Sequence, residues 1–336
     1  MLTLPGFVNA HSHTFQRRLR GCAETPDEGD FWAWRERMIA AAEAETPESV
    51  RTTYEPVYRE MRAAGFTAVG EFHYLGWESA LAAAYAAEQA DIELVLLYVA
   101  YARGGSAAFR QPSVDKYLSQ VDALRDRGLR VGVAPHSVRA CPRAWLEAIG
   151  AYAARESLPL HVHAAEQPRE VEECLAEHGR RPIELLQDTG CLAPHTTVIH
   201  ATEASDGELD LLAEADARVC LCPTTEANLG DGFAPVERLL ERGIAICVGS
   251  DSNVRIDPLE ELREIEAIAR RASGRRGVVP LDALLGAGAD EGAAALGLDE
   301  WPAIEIDTAH PSLQGIDGCD LLAAVVFGCG AEVVAA

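Results

Sequence analysis

The sequence predicts an α/β protein built as a (β/α)8 TIM barrel, and three observations predict it. Short apolar runs rich in β-branched residues alternate with helix-patterned stretches, eight times over. The first run ends in His-Ser-His, where a doubly wound sheet would usually carry a Gly-rich phosphate turn. Polar residues suited to chemistry gather at the C-terminal ends of the runs, the face on which such barrels carry their sites.

The elements follow in order. Leu2–Ala10 reads as the first strand and Phe31–Ala64 as the helical stretch after it, stopped by Gly65 just before the second strand, Phe66–Phe72. Glu78–Ala90 leads to the third strand, Ile92–Tyr101. Val114–Arg127, stopped by Gly128, leads to the fourth, Leu129–Ala134. Pro142 sits at a first-turn position of Pro142–Glu156, which precedes the fifth strand, Pro159–Val162. Arg169–Asp188 and Thr197–Ile199, then Asp206–Ala215 and Arg218–Leu221, continue the alternation. Ala234–Arg242, stopped by Gly243, precedes the eighth strand, Ala245–Val248. Asp257 is placed to cap Pro258–Arg271, with Pro258 in its first turn. Residues 1–300 are therefore expected to form the barrel. Residues 301–336, with one apolar run at Leu321–Val326, form a short appendage.

Composition removes several function classes. With 48% hydrophobic and 24% charged residues the chain can bury a large core. The net charge of −24 argues against nucleic-acid or anionic-membrane binding, which needs a basic face. No apolar run is long enough for a membrane helix, and no basic n-region or cleavage site follows Met1. The nine cysteines are scattered without a CxxC pair, so neither a thiolate zinc cluster nor a disulfide scaffold is indicated. Cys220 and Cys222 lie in one apolar run as small hydrophobes. A reducing, cytoplasmic location is expected. Lys116 is the only lysine. Such usage fits a salty cytoplasm, a GC-rich genome or both, and it concerns solubility rather than activity.

The strand ends carry the chemistry. His11 and His13 are two apart on one strand, so both face the barrel mouth. His163 approaches from the fifth strand and Asp251 from the eighth. Three His and one Asp make an N and O donor set that favours Zn2+, with Fe2+ or Mn2+ also compatible. His136 ends the fourth strand, where related two-metal hydrolases carry a bridging lysine, so one metal is expected. Glu166, three residues past His163, is placed to move protons between water and a substrate nitrogen. His200 is either a fourth nitrogen ligand or a proton-relay and orienting residue. Asp251 can also accept the proton of a water. His161 faces inward one layer lower, and His73 ends the second strand. Arg139 can hold a carboxylate bidentately and His136 can add a donor. Arg35 is a second cation, in a segment where Trp32 and Trp34 could wall a pocket, and Tyr74 offers a hydroxyl. The expected partner is a small anionic substrate.

These residues resemble the amidohydrolase superfamily, in its single-metal deaminase branch. LPGFVNAHSHTFQRRLRG, DFWAWRERM, GEFHYL, PHSVRACP, HVHAAEQPREVEECL, CPTTEANLGDG and VGSDSNVRIDPLEELREIE are similar to the N-formimino-L-glutamate deiminases of histidine degradation. The resemblance spans roughly residues 3–272. It implies zinc on His11, His13, His163 and Asp251, and proton transfer by Glu166, His200 and Asp251. It implies substrate-carboxylate contacts at Arg35, Tyr74, His136 and Arg139. The implied reaction releases ammonia from N-formimino-L-glutamate and leaves N-formyl-L-glutamate. A deaminase of another amidine or of a purine-type ring is the alternative within the superfamily; a third is a truncated metal-binding copy without activity. The family also carries a small β-sandwich, half before the HxH strand and half after the barrel. Here it is expected to be missing or fragmentary, with residues 301–336 its remnant. A homodimer is compatible with the resemblance.

Overall fold

A computed structural model describes residues 1–22, 31–316 and 318–335. Its centre is a parallel eight-stranded sheet: β2 (Phe7–Ser12), β3 (Phe66–His73), β4 (Glu93–Ala100), β5 (Val131–Pro135), β6 (Leu160–Ala164), β7 (Thr196–His200), β8 (Arg218–Leu221) and β9 (Ile246–Val248). Neighbours in the sheet are neighbours in sequence, and helices run between the strands, so the architecture is a (β/α)8 barrel.

The ring closes between β2 and β9. Asp251 N–H donates to His11 C=O at 3.0 Å and His13 N–H to Asp251 C=O at 2.8 Å. The Asn9 side chain stitches the same seam: Ser250 N–H donates to Asn9 Oδ1 (3.0 Å), and Asn9 Nδ2 donates to Ser250 Oγ (2.6 Å). Gly249 makes this approach feasible, because a Cβ there would lie 2.7 Å from His11 O and 2.8 Å from its Cβ.

The expected first strand is broken in two. Gly6 packs against Pro302 O, leaving no room for a side chain. The chain bends there into β1 (Leu2–Pro5), which pairs antiparallel with β10 (Ala303–Ile306) in a separate two-stranded sheet. Trp301 Nε1 donates to Gly6 O at 2.9 Å and fastens the bend. Two long helical stretches are likewise divided: α1 (Phe31–Glu43) precedes α2 (Pro47–Ala63), and later α6 (Pro168–His178) precedes α7 (Pro182–Asp188). Thr46 opens α2 with a capping box to Ser49, which explains the break.

The remaining helices are α3 (Trp77–Gln89), α4 (Val114–Arg125), α5 (Arg143–Glu156), α8 (Asp206–Glu214), α9 (Pro223–Leu229), α10 (Val236–Glu241), α11 (Pro258–Ser273), α12 (Leu281–Gly288), α13 (Asp290–Leu296) and α14 (Leu321–Gly328). Asp257 caps α11 as expected, accepting from Leu259 and Glu260 N–H. Pro142 lies one position earlier than expected, at the N-cap of α5. Gly65, Gly128 and Gly243 follow α2, α4 and α10, and all have positive φ. α12 and α13, absent from the periodicity reading, sit against β9 and β2.

Candidate metal centre and active site

His11 and His13 leave β2, His163 leaves β6, and Asp251 follows β9. Their donor atoms all lie within 4.8 Å of one another, and all four residues are buried. His163 Nε2 is 3.1 Å from His11 Nε2 and 3.5 Å from His13 Nε2; Asp251 Oδ1 is 3.5 Å and 3.4 Å from the same two nitrogens. Bonds of about 2.0–2.1 Å to one tetrahedral centre would set such edges near 3.3 Å. The far side of two rings is already fixed. His13 Nδ1 faces Phe72 O (3.2 Å) and His163 Nδ1 faces His136 O (3.0 Å), which leaves both Nε2 lone pairs aimed inward. Phe72 packs edge-on against all three rings. Burial lowers the three imidazoles, His13 to about 3, so they are neutral donors. Burial pushes Asp251 up, but the His11 hydrogen bond and the electrostatic pull of the histidines around it, the charged His200 among them, outweigh it and hold the carboxyl below its usual range. The set therefore fits a divalent metal.

Above the cluster, Glu166 and His200 face Asp251. His200 Nε2 lies 3.7 Å from Asp251 Oδ2 and 3.8 Å from Glu166 Oε1. His200 Nδ1 faces Glu226 Oε1 at 3.2 Å. Burial works against charge on His200, yet Glu166, Glu226 and Asp251 together outweigh it and push the imidazole up to about 10. Glu166 moves up because it is buried, in spite of His200 and Arg139. Ala165, His200, Ala201 and Asp251 all have positive φ, a costly conformation for residues with a Cβ that is concentrated at functional turns.

Glu166, His200 and Asp251 line a narrow cavity of about 40 Å³, together with His13, His163, Tyr74, His136, Arg139 and Arg35. Of the ten residues given a metal, catalytic or substrate role in the sequence, nine thus share one cavity; His11 lies beneath it with no exposed surface. Arg139 Nη2 is 3.6 Å from Glu166 Oε2, and its Nε makes no hydrogen bond among the described residues. Burial lowers the Arg139 guanidinium, but Glu170 and Glu166 more than compensate. Burial leaves His136 neutral. Of the two tryptophans, Trp34 lines the cavity, whereas Trp32 lies under Arg169 and Arg139. His161 and His73 stay outside: their Nε2 atoms face Ala295 O (2.8 Å) and Gly76 O (3.2 Å).

Three site residues escaped the sequence reading. Gln16 lines the cavity, donates to Tyr74 Oη at 3.3 Å and leaves its Oε1 buried without a hydrogen-bond partner among the described residues. Glu226 orients His200. Asp231 accepts from Gln167, and burial with the charge of Glu166 raises it to about 9. Glu226 and Asp231 both belong to the CPTTEANLGDG segment, and Gln16 lies three residues past His13, so proximity to a flagged motif was the available signal.

A metal-ligand set at the mouth of a parallel barrel is the build of a metal-dependent hydrolase. The chain belongs to the amidohydrolase family, which it matches over residues 2–305. It is 36% identical, over 78% of its length, to formimidoylglutamate deiminase of Pseudomonas aeruginosa. It is 31% identical, over 89% of its length, to 5-methylthioadenosine/S-adenosylhomocysteine deaminase of Haloarcula marismortui. The chain spans 63% and 69% of those two proteins. The crystal structure of an amidohydrolase from Brucella melitensis superposes with a TM-score of 0.89 at 33% identity, covering 99% of this chain and 84% of that one.

Proposed function

We propose that the protein is a zinc-dependent deiminase of N-formimino-L-glutamate. The observation that carries this reading is the pair of arginines, Arg35 and Arg139, lining the cavity over the His/Asp cluster. A substrate with two carboxylates matches two guanidinium forks. A purine ring would bring no carboxylate to either of them. The likeness to formimidoylglutamate deiminase supports the same choice.

Zinc on His11, His13, His163 and Asp251 would supply a Lewis acid that makes water a nucleophile at neutral pH. Arg139 and Arg35 bind the carboxylates, with His136, Tyr74 and Gln16 as flanking donors. Asp251 Oδ2, backed by His200, takes a proton from the attacking water. The water oxygen adds to the amidine carbon. Glu166, whose acid form burial favours, delivers a proton to the terminal nitrogen. As the C–N bond breaks, the hydroxyl proton of the intermediate passes through Glu166 to the same nitrogen, so ammonia leaves and N-formyl-L-glutamate remains; the proton held by Asp251 then returns Glu166 to its acid form. Glu226 holds His200 from behind.

The test is ammonia release from N-formimino-L-glutamate by zinc-loaded protein, run at low and high salt, beside 5-methylthioadenosine as competitor substrate. Release from the first compound alone is expected. Release only from the nucleoside, or from neither by folded and loaded protein, would overturn the reading.

A further inference from the structure

The two carboxylate oxygens of Asp251 face different partners. Oδ1 faces His11 and His13; Oδ2 faces His200 Nε2 at 3.7 Å. The Cys222 thiol, at the end of β8, completes a second trio. Donor atoms of His200, Cys222 and Asp251 all lie within 4.8 Å of one another, and all three residues are buried. The arrangement repeats that of the first cluster. His200 has its Nδ1 held by the Glu226 carboxylate, so its Nε2 is the atom turned toward Asp251. We propose that His200, Cys222 and the free oxygen of Asp251 form a second, inhibitory site for a soft or borderline divalent cation, such as excess Zn2+ or Cd2+, with Asp251 shared between the two ions.

The donor chemistry sets the class of ion. One sulfur, one nitrogen and one oxygen suit Zn2+ or Cd2+ and do not suit Mg2+ or Ca2+, which take oxygen ligands. Two dications close together repel, but carboxylates surround this pair. Glu166 Oε1 lies 3.8 Å from His200 Nε2, and Glu226 lies behind the ring. Binding forms the metal–sulfur and metal–nitrogen bonds and releases the Cys222 thiol proton and any proton on His200 Nε2 to solvent. No electron is transferred. The inhibition, unlike the binding, rests on the proton-handling roles proposed above for His200 and Asp251. An ion held here occupies both groups.

The experiment titrates metal-free protein with Cd2+, counts bound ions after dialysis and records the ultraviolet thiolate-to-cadmium absorption. Wild type is compared with C222S and C222A, so that the other thiols cancel in the difference. Wild type should bind two ions per chain and gain absorption with the second. Both variants should bind one and lack that gain. One ion in wild type overturns the proposal, with or without the absorption, and so does a gain that persists in folded C222S and C222A. Turnover is read in parallel with Zn2+. The second equivalent should suppress it in wild type and spare it in the variants. If no preparation turns over while the ion counts hold, the deiminase reading fails and the second site stands.

Discussion

The two ends of the barrel hold cavities of opposite character. The lower one, of about 410 Å³, lies around the start of β9 and is walled by Leu240, Ile244, Ile246, Ile265, Val279 and Leu284. The upper one holds only about 40 Å³, yet imidazoles, carboxylates and guanidinium groups converge on it. The roomier space is lined mostly by apolar side chains, with Asp282 and Glu291 among them; the tighter one sets neutral His13, His136 and His163 beside a raised His200, a depressed Asp251 and a raised Glu166. Volume does not locate chemistry here. Opposed environments for neighbouring titratable groups do.

Substitutions can break this contrast or sharpen it. At the upper end, Glu166→Gln should lower kcat by roughly 10²–10⁴-fold, as loss of a general acid does. Metal content by elemental analysis should stay unchanged; near-normal turnover would remove Glu166 from its role. At the lower end, Leu284, fully buried, should behave in the reverse way. Leu284→Ala should cost about 2–5 kcal/mol in urea unfolding, with kcat and KM of the folded enzyme kept.

The pH dependence of stability should trace to the upper half. Burial raises Glu71 to about 7, only partly offset by hydrogen bonds from Thr14 Oγ1 and N–H. An acid with a raised folded pKa contributes stability that is full below its unfolded value and is lost as pH climbs through its folded value. Between pH about 4.5 and 7 the loss approaches about 3 kcal/mol. Glu71→Gln should flatten that slope in melting curves of the metal-loaded protein; an unchanged slope would assign it elsewhere. The smallest effect concerns binding. Arg139→Met should raise KM by about 10- to 100-fold, the worth of a charged hydrogen bond at ~1.5–3 kcal/mol. An unchanged KM would mean that the carboxylate is held by other groups.

Much of the upper end was legible in the sequence. A strand period of two puts His11 and His13 on one side, and barrel geometry brings His163, His200 and Asp251 to the same face. What was hidden depends on contacts between distant parts of the chain. The break at Gly6 exists because Pro302 O occupies the space a side chain would need. β1 and β10 are nearly a whole chain length apart, so no local pattern announces their pairing. Glu226 lies in α9, and its reach to His200 Nδ1 and to the Cys222 N–H appears only once the chain is folded.

The seam between β2 and β9 has a mechanical consequence. Asn9 and Ser250, which stitch it, stand 241 positions apart, so closing the ring there ties the largest loop in the barrel. His11 and His13 stand on one lip, Asp251 on the other, and His163 reaches across from the opposite wall. A cation held by all four would rivet the joint as well as serve the reaction. The ring cannot part at its first and last strands without giving up the donors on which the proposed reaction depends.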